Sequence, residues 1–529
     1  MACQLYPSHF IIVCFSIAFN LNGCTSSNIL FFNGKGEGSH YFAAASLGEE
    51  LVARGHSVTF LLADHYMHRA QHLIHANLFK FKSVQTYPSF NNEFQDFMES
   101  FFKVAFEGKN VLYETELLTI GVEMEVDYCK MVFRDEVLTS LREEMFDLVV
   151  FDPVWPCATG LSEYLGGRRV ALLPTTLASS YLRAMNQPVN PATTAELGLG
   201  LPSKLNFFQR VQNVAVAGLY FVSFVYFDDM PYSHILSPYN ISSASSSLQA
   251  VDFVITAGDP VIDKIVPMYP SHGIAAGLTT APAKLLEEDL EEFMQSSGDH
   301  GVIVFTLGSY ATHLPEALVK AFQDAFAKLP QKVIWQWKNK TPPSNLSANV
   351  KTMSWLPQND LLGHDRTRLF IYHGGNNGLY EAIYHGVPVL VMPLIVDQFD
   401  TAQNVVEKEV GLNIFISDVT AENLGQALHE LLTNEKYETN MKRLSAIFRE
   451  RPQTPRERAT SWIEHILKFG SAHLRTPGHD MNFIEYYLLD VIGFMLLCLS
   501  LVLVLIYLGI KYTLRIVCSV FNHKKSKLA

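Results

Sequence analysis

The chain has 529 residues, enough for two or three domains of the usual ~150 residues, so its core needs neither disulfides nor metal to hold it. Hydrophobic residues make up 48% and charged residues only 17%, less than the roughly 25% of an average soluble protein; this excludes disorder and places part of the chain in lipid. The net charge of −12 excludes wholesale nucleic-acid binding, because phosphates call for a basic face.

The N-terminus carries a ten-residue apolar run, Phe10 to Phe19, followed by small residues from Gly23 to Ser26. That length suits the core of a signal peptide rather than a bilayer span, although no Lys or Arg precedes it. Residues 1–27 are therefore expected to be a cleaved leader, the alternative being a buried first helix.

From Asn28 onward, short apolar runs (Asn28 to Phe32, Ser57 to Leu62, Asp147 to Phe151, Val170 to Leu173) alternate with helical stretches. The pattern predicts a parallel sheet flanked by helices over residues 28–272. The first run leads into Gly34-Lys35-Gly36-Glu37-Gly38-Ser39-His40. A dinucleotide loop of GxGxxG type fails, because Ser39 stands where the third glycine belongs. His40 nevertheless lies just past the carboxyl end of a predicted strand, where open α/β sheets bind ligands. A second buried run ends in Asp152-Pro153. Asp152 either caps the next helix or, if the two strands are neighbours, meets His40. A histidine held by an aspartate is a general base whose other nitrogen faces substrate.

Val211 to Phe227 is apolar and aromatic but includes Gln212 and Asn213, so a membrane-touching or substrate-lining helix competes with plain core. Ser242 to Ser247 reads as a solvated loop. A second α/β series over residues 273–452 has runs Gly301 to Thr306, Lys332 to Trp337, Arg368 to Tyr372 and Val387 to Met392. Here Trp355-Leu356-Pro357-Gln358 precedes Ile371-Tyr372-His373-Gly374-Gly375-Asn376-Asn377-Gly378-Leu379-Tyr380-Glu381, and Asp397-Gln398 follows. His373 ends a predicted strand, and Gly374 to Gly378 open a helix whose free N–H groups and positive end suit a phosphate. Asn377 and Glu381, four apart, share one helical face and could grip phosphate and ribose. Trp355 offers a flat surface for a base, and Gln358 can pair with its amide edge.

Of seven cysteines only Cys129 and Cys157 lie outside the two ends; they make no disulfide scaffold, and no CxxC suggests zinc. Asn240, Asn339 and Asn345 begin glycosylation sequons, meaningful only in a secretory protein. Residues 453–487 are expected to be a helical return segment and 488–510 a transmembrane helix. Val491 to Ile510 is uncharged for twenty residues, about 30 Å of helix. The tail, 511–529, carries Lys511, Arg515, Lys524, Lys525 and Lys527 and no acid, so it is expected in the cytosol and the rest in the lumen. Without those five cations the body before residue 511 stands at −17.

The constellation resembles the UDP-glycosyltransferases of animal membranes, particularly the UDP-glucuronosyltransferases. The likeness covers the chain from leader to tail. It is most specific over Trp355 to Gln398, with Gly38 to His40, Phe146 to Pro153 and Phe305 to Ser309 as further matches. The resemblance implies two Rossmann-like domains facing across a cleft, the double-Rossmann architecture, plus one C-terminal transmembrane helix. It assigns acceptor binding mainly to the first domain and UDP-sugar binding to the second. His40 would be the base and Asp152 its partner. Trp355 and Gln358 would hold uracil and Glu381 ribose. Ser309, His373, Asn377 and the Gly375 and Gly378 backbone would hold the diphosphate, and Asp397 and Gln398 the sugar. Transfer would invert the anomeric carbon, with no metal and no cofactor beyond the UDP-sugar co-substrate. Two positions depart from the family pattern: Tyr372 would crowd the phosphate edge, and Thr401, where asparagine is usual, leaves glucuronate against glucose open. The C-terminal Lys525-Ser526-Lys527-Leu528-Ala529 resembles a dilysine retrieval signal of the endoplasmic reticulum, or is a plain basic flank. The expected function is sugar transfer to a lipophilic small molecule in that lumen; alternatives are transfer to a sterol or ceramide and a non-catalytic regulatory binder. Acceptor identity and oligomeric state are not legible.

Overall fold

The computed structural model describes residues 26–526, except 37, 110–113, 176–177, 265, 309 and 340. The expected leader and the last residues of the tail lie outside that range. One compact unit extends to Ser471, and a second begins at Ala472.

The first unit is built on two parallel sheets. The first has strands β1 (Asn28–Phe32), β2 (Ser57–Ala63), β3 (Lys80–Val84), β4 (Leu148–Phe151), β5 (Arg168–Leu173), β6 (Phe253–Thr256) and β7 (His272–Ile274), in the order β3-β2-β1-β4-β5-β6-β7. It therefore runs two residues past the expected limit of 272. The second has β8 (Val302–Thr306), β9 (Lys332–Gln336), β10 (Val350–Met353), β11 (Thr367–Tyr372), β12 (Val389–Val391) and β13 (Gly411–Asn413), in the order β10-β9-β8-β11-β12-β13. Central strands are buried on both faces, as covered parallel sheets require: Ile29 to Phe32, Leu148 to Phe151, Val302 to Phe305 and Leu369 to Tyr372 are each at most 1% exposed.

In each sheet the chain winds outward and then restarts on the other side of its first strand. The first sheet reverses between β1 and β4, which pair in register with Phe32 opposite Phe151. The second reverses between β8 and β11, with Thr306 opposite Tyr372. Crevices outside the strand ends at such reversals are where open α/β sheets bind ligands. His40 and Asp152 follow the first pair of strands; Gly308 and His373 follow the second.

The chain returns to the first sheet at its end. Helix Pro455–Phe469 has a Thr454/Glu457 capping box and proline in its first turn. It packs on helix Gly38–Ala53, with Arg456 paired to Glu49 at 3.1 Å and Arg54 to Glu464 at 3.0 Å.

Cys129 and Cys157 are joined by a disulfide between helices Thr115–Val132 and Pro156–Leu165. Asn240 and Asn345 sit exposed at turns with φ near +62°; Asn339 is half-buried.

Helix Phe207–Ser223 is not plain core. Its one fully buried residue is Asn213, whose amide accepts from Glu196 N–H and donates to the carbonyls of Pro191 and Thr194. Phe207, Phe208, Val211, Val214, Phe221 and Val222 face outward. In the second unit, helix Leu489–Ser526 continues past Ile510. No proline interrupts it, and Leu489–Ser519 is long and apolar enough to cross a membrane.

The disulfide closes a loop of 28 residues, and constraining the unfolded chain this way is worth about 3–4 kcal/mol. Cys157→Ala is expected to lower the urea midpoint of the detergent-solubilised protein, and reductant should lower that of the wild type. Unchanged midpoints would show that the bridge adds no stability.

Candidate active site

The first sheet supplies one wall. In the loop after β1, Gly36 has φ +117°, and a Cβ there would lie 2.9 Å from Tyr66 Cβ, so the turn admits only glycine. The turn feeds helix Gly38–Ala53, with His40 in its first turn. The next helix has its N-cap at Trp155 and no side-chain cap, so of the two roles open to it in the sequence the fully buried Asp152 takes only the contact with His40. Its Oδ1 accepts from Val154 N–H at 3.0 Å, while Oδ2 lies 2.5 Å from His40 Nδ1. With Nδ1–H donating to the carboxylate, the lone pair sits on Nε2. The His40 side chain keeps about a quarter of its surface open, as proton transfer to a ligand requires.

Beside this pair lies a buried cation that the sequence reading passes over. Lys35 is 0% exposed, ion-paired with Glu125, and stands 4.6 Å from the Trp155 ring centroid and 4.9 Å from that of Phe94. Trp155 in turn faces the His40 ring at 6.5 Å between centroids. The one available signal was a lysine inside a glycine loop.

The second sheet supplies the other wall. Gly308, past β8, has φ +86°, and a Cβ there would strike the His373 ring at 2.8 Å. Ser309 lies outside the described residues. His373 directly follows β11; burial, then the charge of Lys338, drives its pKa down to about 4, so it is neutral. Gly375 caps helix Asn376–His385, leaving that helix's first N–H groups at the carboxyl edge of the sheet. A Cβ at Gly378 would lie 3.2 Å from Tyr372 and 3.3 Å from the Gln358 amide. The Tyr372 ring stacks on Phe370 inside the core, not at the phosphate edge.

Glu381 is buried, accepting from the Thr279 hydroxyl and the Gln358 amide, both at 2.7 Å. Burial pushes its pKa up to about 7. Trp355 is 55% exposed and has Phe42 at 5.6 Å. Trp355, Gln358, Glu381 and the helix N-terminus thus come from neighbouring stretches of one domain. Asp397, its pKa raised by burial, accepts from the Thr175 hydroxyl. The Gln398 carbonyl is taken by Leu394 and Ile395 N–H, which leaves its amide NH2 for a hydroxyl. Thr401 is buried. Thr175 escapes the sequence reading, though its place two residues past β5 could have marked it.

The two walls are tied together. Asn377 donates to the Ser39 carbonyl at 3.1 Å, one residue from His40, and Asn376 donates to those of Pro174 and Ala257. The loop carrying His40 and the N-terminus of helix Asn376–His385 therefore meet at one edge. Among the described residues no group of three or more His, Cys, Asp or Glu could hold a metal ion.

A family model described as "UDP-glucoronosyl and UDP-glucosyl transferase" matches residues 30–527. UDP-glucuronosyltransferase 2A3 of Cavia porcellus is 32% identical over 492 residues, covering 89% of this chain and 90% of the relative. UDP-glucuronosyltransferase 1A1 of Homo sapiens is 32% identical over 481 residues, covering 87% and 86%. Among solved structures, spinosyn forosaminyltransferase SpnP has a TM-score of 0.56 at 16% identity, covering 84% of this chain and 100% of that one. Os79 from O. sativa, in complex with U2F and trichothecene, has a TM-score of 0.58 at 15% identity, covering 83% and 100%. At such identities the structures establish the double-Rossmann glycosyltransferase fold. The family match over nearly the whole chain establishes the rest: this protein belongs to the UDP-glycosyltransferases and is an enzyme of that kind, with a terminal helix fit for anchoring in a membrane.

Proposed function

We propose that the enzyme transfers glucuronic acid or glucose from a UDP-sugar to a hydroxyl of a small lipophilic acceptor, with inversion, and that His40 is the base. The observation that carries this reading is the 2.5 Å contact between His40 Nδ1 and the buried Asp152 carboxylate, at the reversal point of the first sheet. The acceptor hydroxyl gives its proton to His40 Nε2 as its oxygen attacks the anomeric carbon. Asp152 holds the ring and stabilises the imidazolium. The bond to UDP breaks on the opposite face, so an α-linked donor gives a β-linked product. The departing diphosphate is stabilised by the N–H groups at Gly375 to Gly378, by Asn377 and by Ser309, with His373 alongside as a neutral donor. Trp355 stacks on uracil, Gln358 pairs with its edge, Glu381 accepts from ribose, and Asp397 and Gln398 contact sugar hydroxyls.

A location on the endoplasmic-reticulum membrane, with the body lumenal, is supported by the basic tail, the sequons on exposed turns and the disulfide, a bond favoured in oxidising compartments. An apolar acceptor concentrates in the bilayer to which such an enzyme is tethered.

His40→Ala is expected to abolish transfer, by 10²-fold or more, while UDP still binds; full activity would remove the base assignment. Asp152→Asn should reduce turnover strongly with little change in donor KM, and unchanged turnover would make the carboxylate only structural.

Glu381 yields a pH dependence. A ribose hydroxyl donating to the carboxylate favours its ionised form, so the bound-state pKa falls below the free value of about 7. Affinity for UDP-glucose, whose diphosphate does not titrate in this range, should then rise from pH 6 to 8, and Glu381→Gln should flatten the rise. A flat wild-type profile would separate Glu381 from the donor.

The reaction itself is tested with microsomes containing the protein, incubated with UDP-glucose or UDP-glucuronic acid over a mixed acceptor panel and read by mass. One donor should yield conjugates; none with either would favour a non-catalytic binder.

A further inference from the structure

A second cavity of about 210 Å³ lies beyond the carboxyl ends of β5, β6 and β7, closed by the loop around residues 187–195 and by helix Gln398–Glu407. Its walls are mostly apolar, from Leu173, Leu182, Val189, Val254, Met268 and Ile274. His40, Asp152 and Trp155 do not line it. Two polar side chains that do are more than nine-tenths buried and have an atom without a hydrogen-bond partner: Gln187 Oε1 and Thr194 Oγ1. Leaving such buried atoms unmet is unfavourable, so the site can receive a hydrogen-bonding group. The ionisable groups at its other end already have partners. Asp400 accepts from Gly198 and Gly200 N–H at 2.7 and 3.0 Å, and Lys264 donates to the Leu201 carbonyl at 2.5 Å. Asp263 accepts from Tyr380 and Asn404.

We propose that this cavity is a second small-molecule site, apart from the acceptor position at His40, for a neutral, mostly apolar compound bearing a hydroxyl. The hydroxyl donates to Gln187 Oε1 and accepts from Thr194. For size, a cavity of about 150 Å³ holds benzene, so this one takes a bicyclic alcohol such as 2-naphthol. Thr175 also lines the cavity and donates to Asp397, so an occupant is one hydrogen bond removed from the proposed sugar-binding carboxylate. That coupling rests on the proposed function; the binding itself does not.

The test uses full-length protein carrying His40→Ala in lipid nanodiscs, without donor, and counts bound 2-naphthol by equilibrium dialysis against empty nanodiscs. Adding Val189→Phe, which fills the cavity, should remove one bound naphthol per chain. Adding Gln187→Leu, which removes the acceptor oxygen, should weaken the same class about five- to tenfold. UDP binding by each variant verifies the fold, and Gln187→Leu carries the test if Val189→Phe does not fold. Equal naphthol binding in all three proteins, or no saturable class beyond the acceptor, overturns the proposal and leaves the cavity to water. With His40 restored, Val189→Phe should keep naphthol conjugation within about twofold. Loss of conjugation with UDP binding intact would make the cavity the acceptor pocket itself and overturn a separate site. If UDP binds to none of the proteins, the donor reading falls while the naphthol count still decides this one.

Discussion

A base carried by one parallel sheet can serve a donor held by another only if the carboxyl edges of both are brought together and kept there. In this chain two adjacent asparagines set that distance. Asn376 and Asn377 open the helix whose N-terminus is the candidate diphosphate site; the Asn376 amide donates to the carbonyls of Pro174 and Ala257 in the other domain, and one amide hydrogen of Asn377 goes to that of Ser39. The helix end remains free to present its N–H groups because its side chains, not its backbone, make the contact. The Thr175–Asp397 bond and the strapping of Gly198 and Gly200 to Asp400 extend the same edge-to-edge seam. A third tie joins Arg451 and the buried Asp259, with one of its two hydrogen bonds at 2.8 Å. Removing one partner of such a buried pair is far more costly than never having had it.

The parts of the fold that were legible are those where burial on both faces leaves an uninterrupted apolar run. Asn28 to Phe32 and Arg368 to Tyr372 read as strands for this reason, and their ends carry His40 and His373. Edge strands escaped. Lys80–Val84 carries two lysines, Val350–Met353 is half-buried throughout, and Gly411–Asn413 is three residues long. An edge strand needs only one apolar face, so its composition falls towards that of a loop. The juxtaposition of His40 with Asp152 could be posed from the sequence only as a condition on strand order, which the β1–β4 pairing meets. Lys35 and Thr175 were hidden differently: their positions follow from loop geometry, and no periodicity encodes it. Helix Phe207–Ser223 shows the limit of reading burial from hydropathy. Its most polar face turns inward because Asn213 meets three backbone groups there, and its apolar face is left outside.

Charge is spent sparingly in the candidate donor site. Where the proposal places phosphate, the chain offers glycine backbone and neutral side chains, and His373 is held neutral by its surroundings. A fixed dipole costs no desolvated ion when the site is empty, whereas a buried cation would. The one deeply buried lysine near the base is neutralised on the spot by Glu125 and enclosed by aromatic rings.

The return of the C-terminal segment onto the first sheet changes how the molecule can move. The backbone passes between the domains twice, once after β7 and again before helix Pro455–Phe469. Two lobes joined by a single thread can swivel in any direction. Joined by two threads, they keep one easy rotation, about the line through both attachments. Opening of the seam is then easiest about that axis, and the ion pairs of Glu49 with Arg456 and Arg54 with Glu464 fasten the second attachment to the first domain.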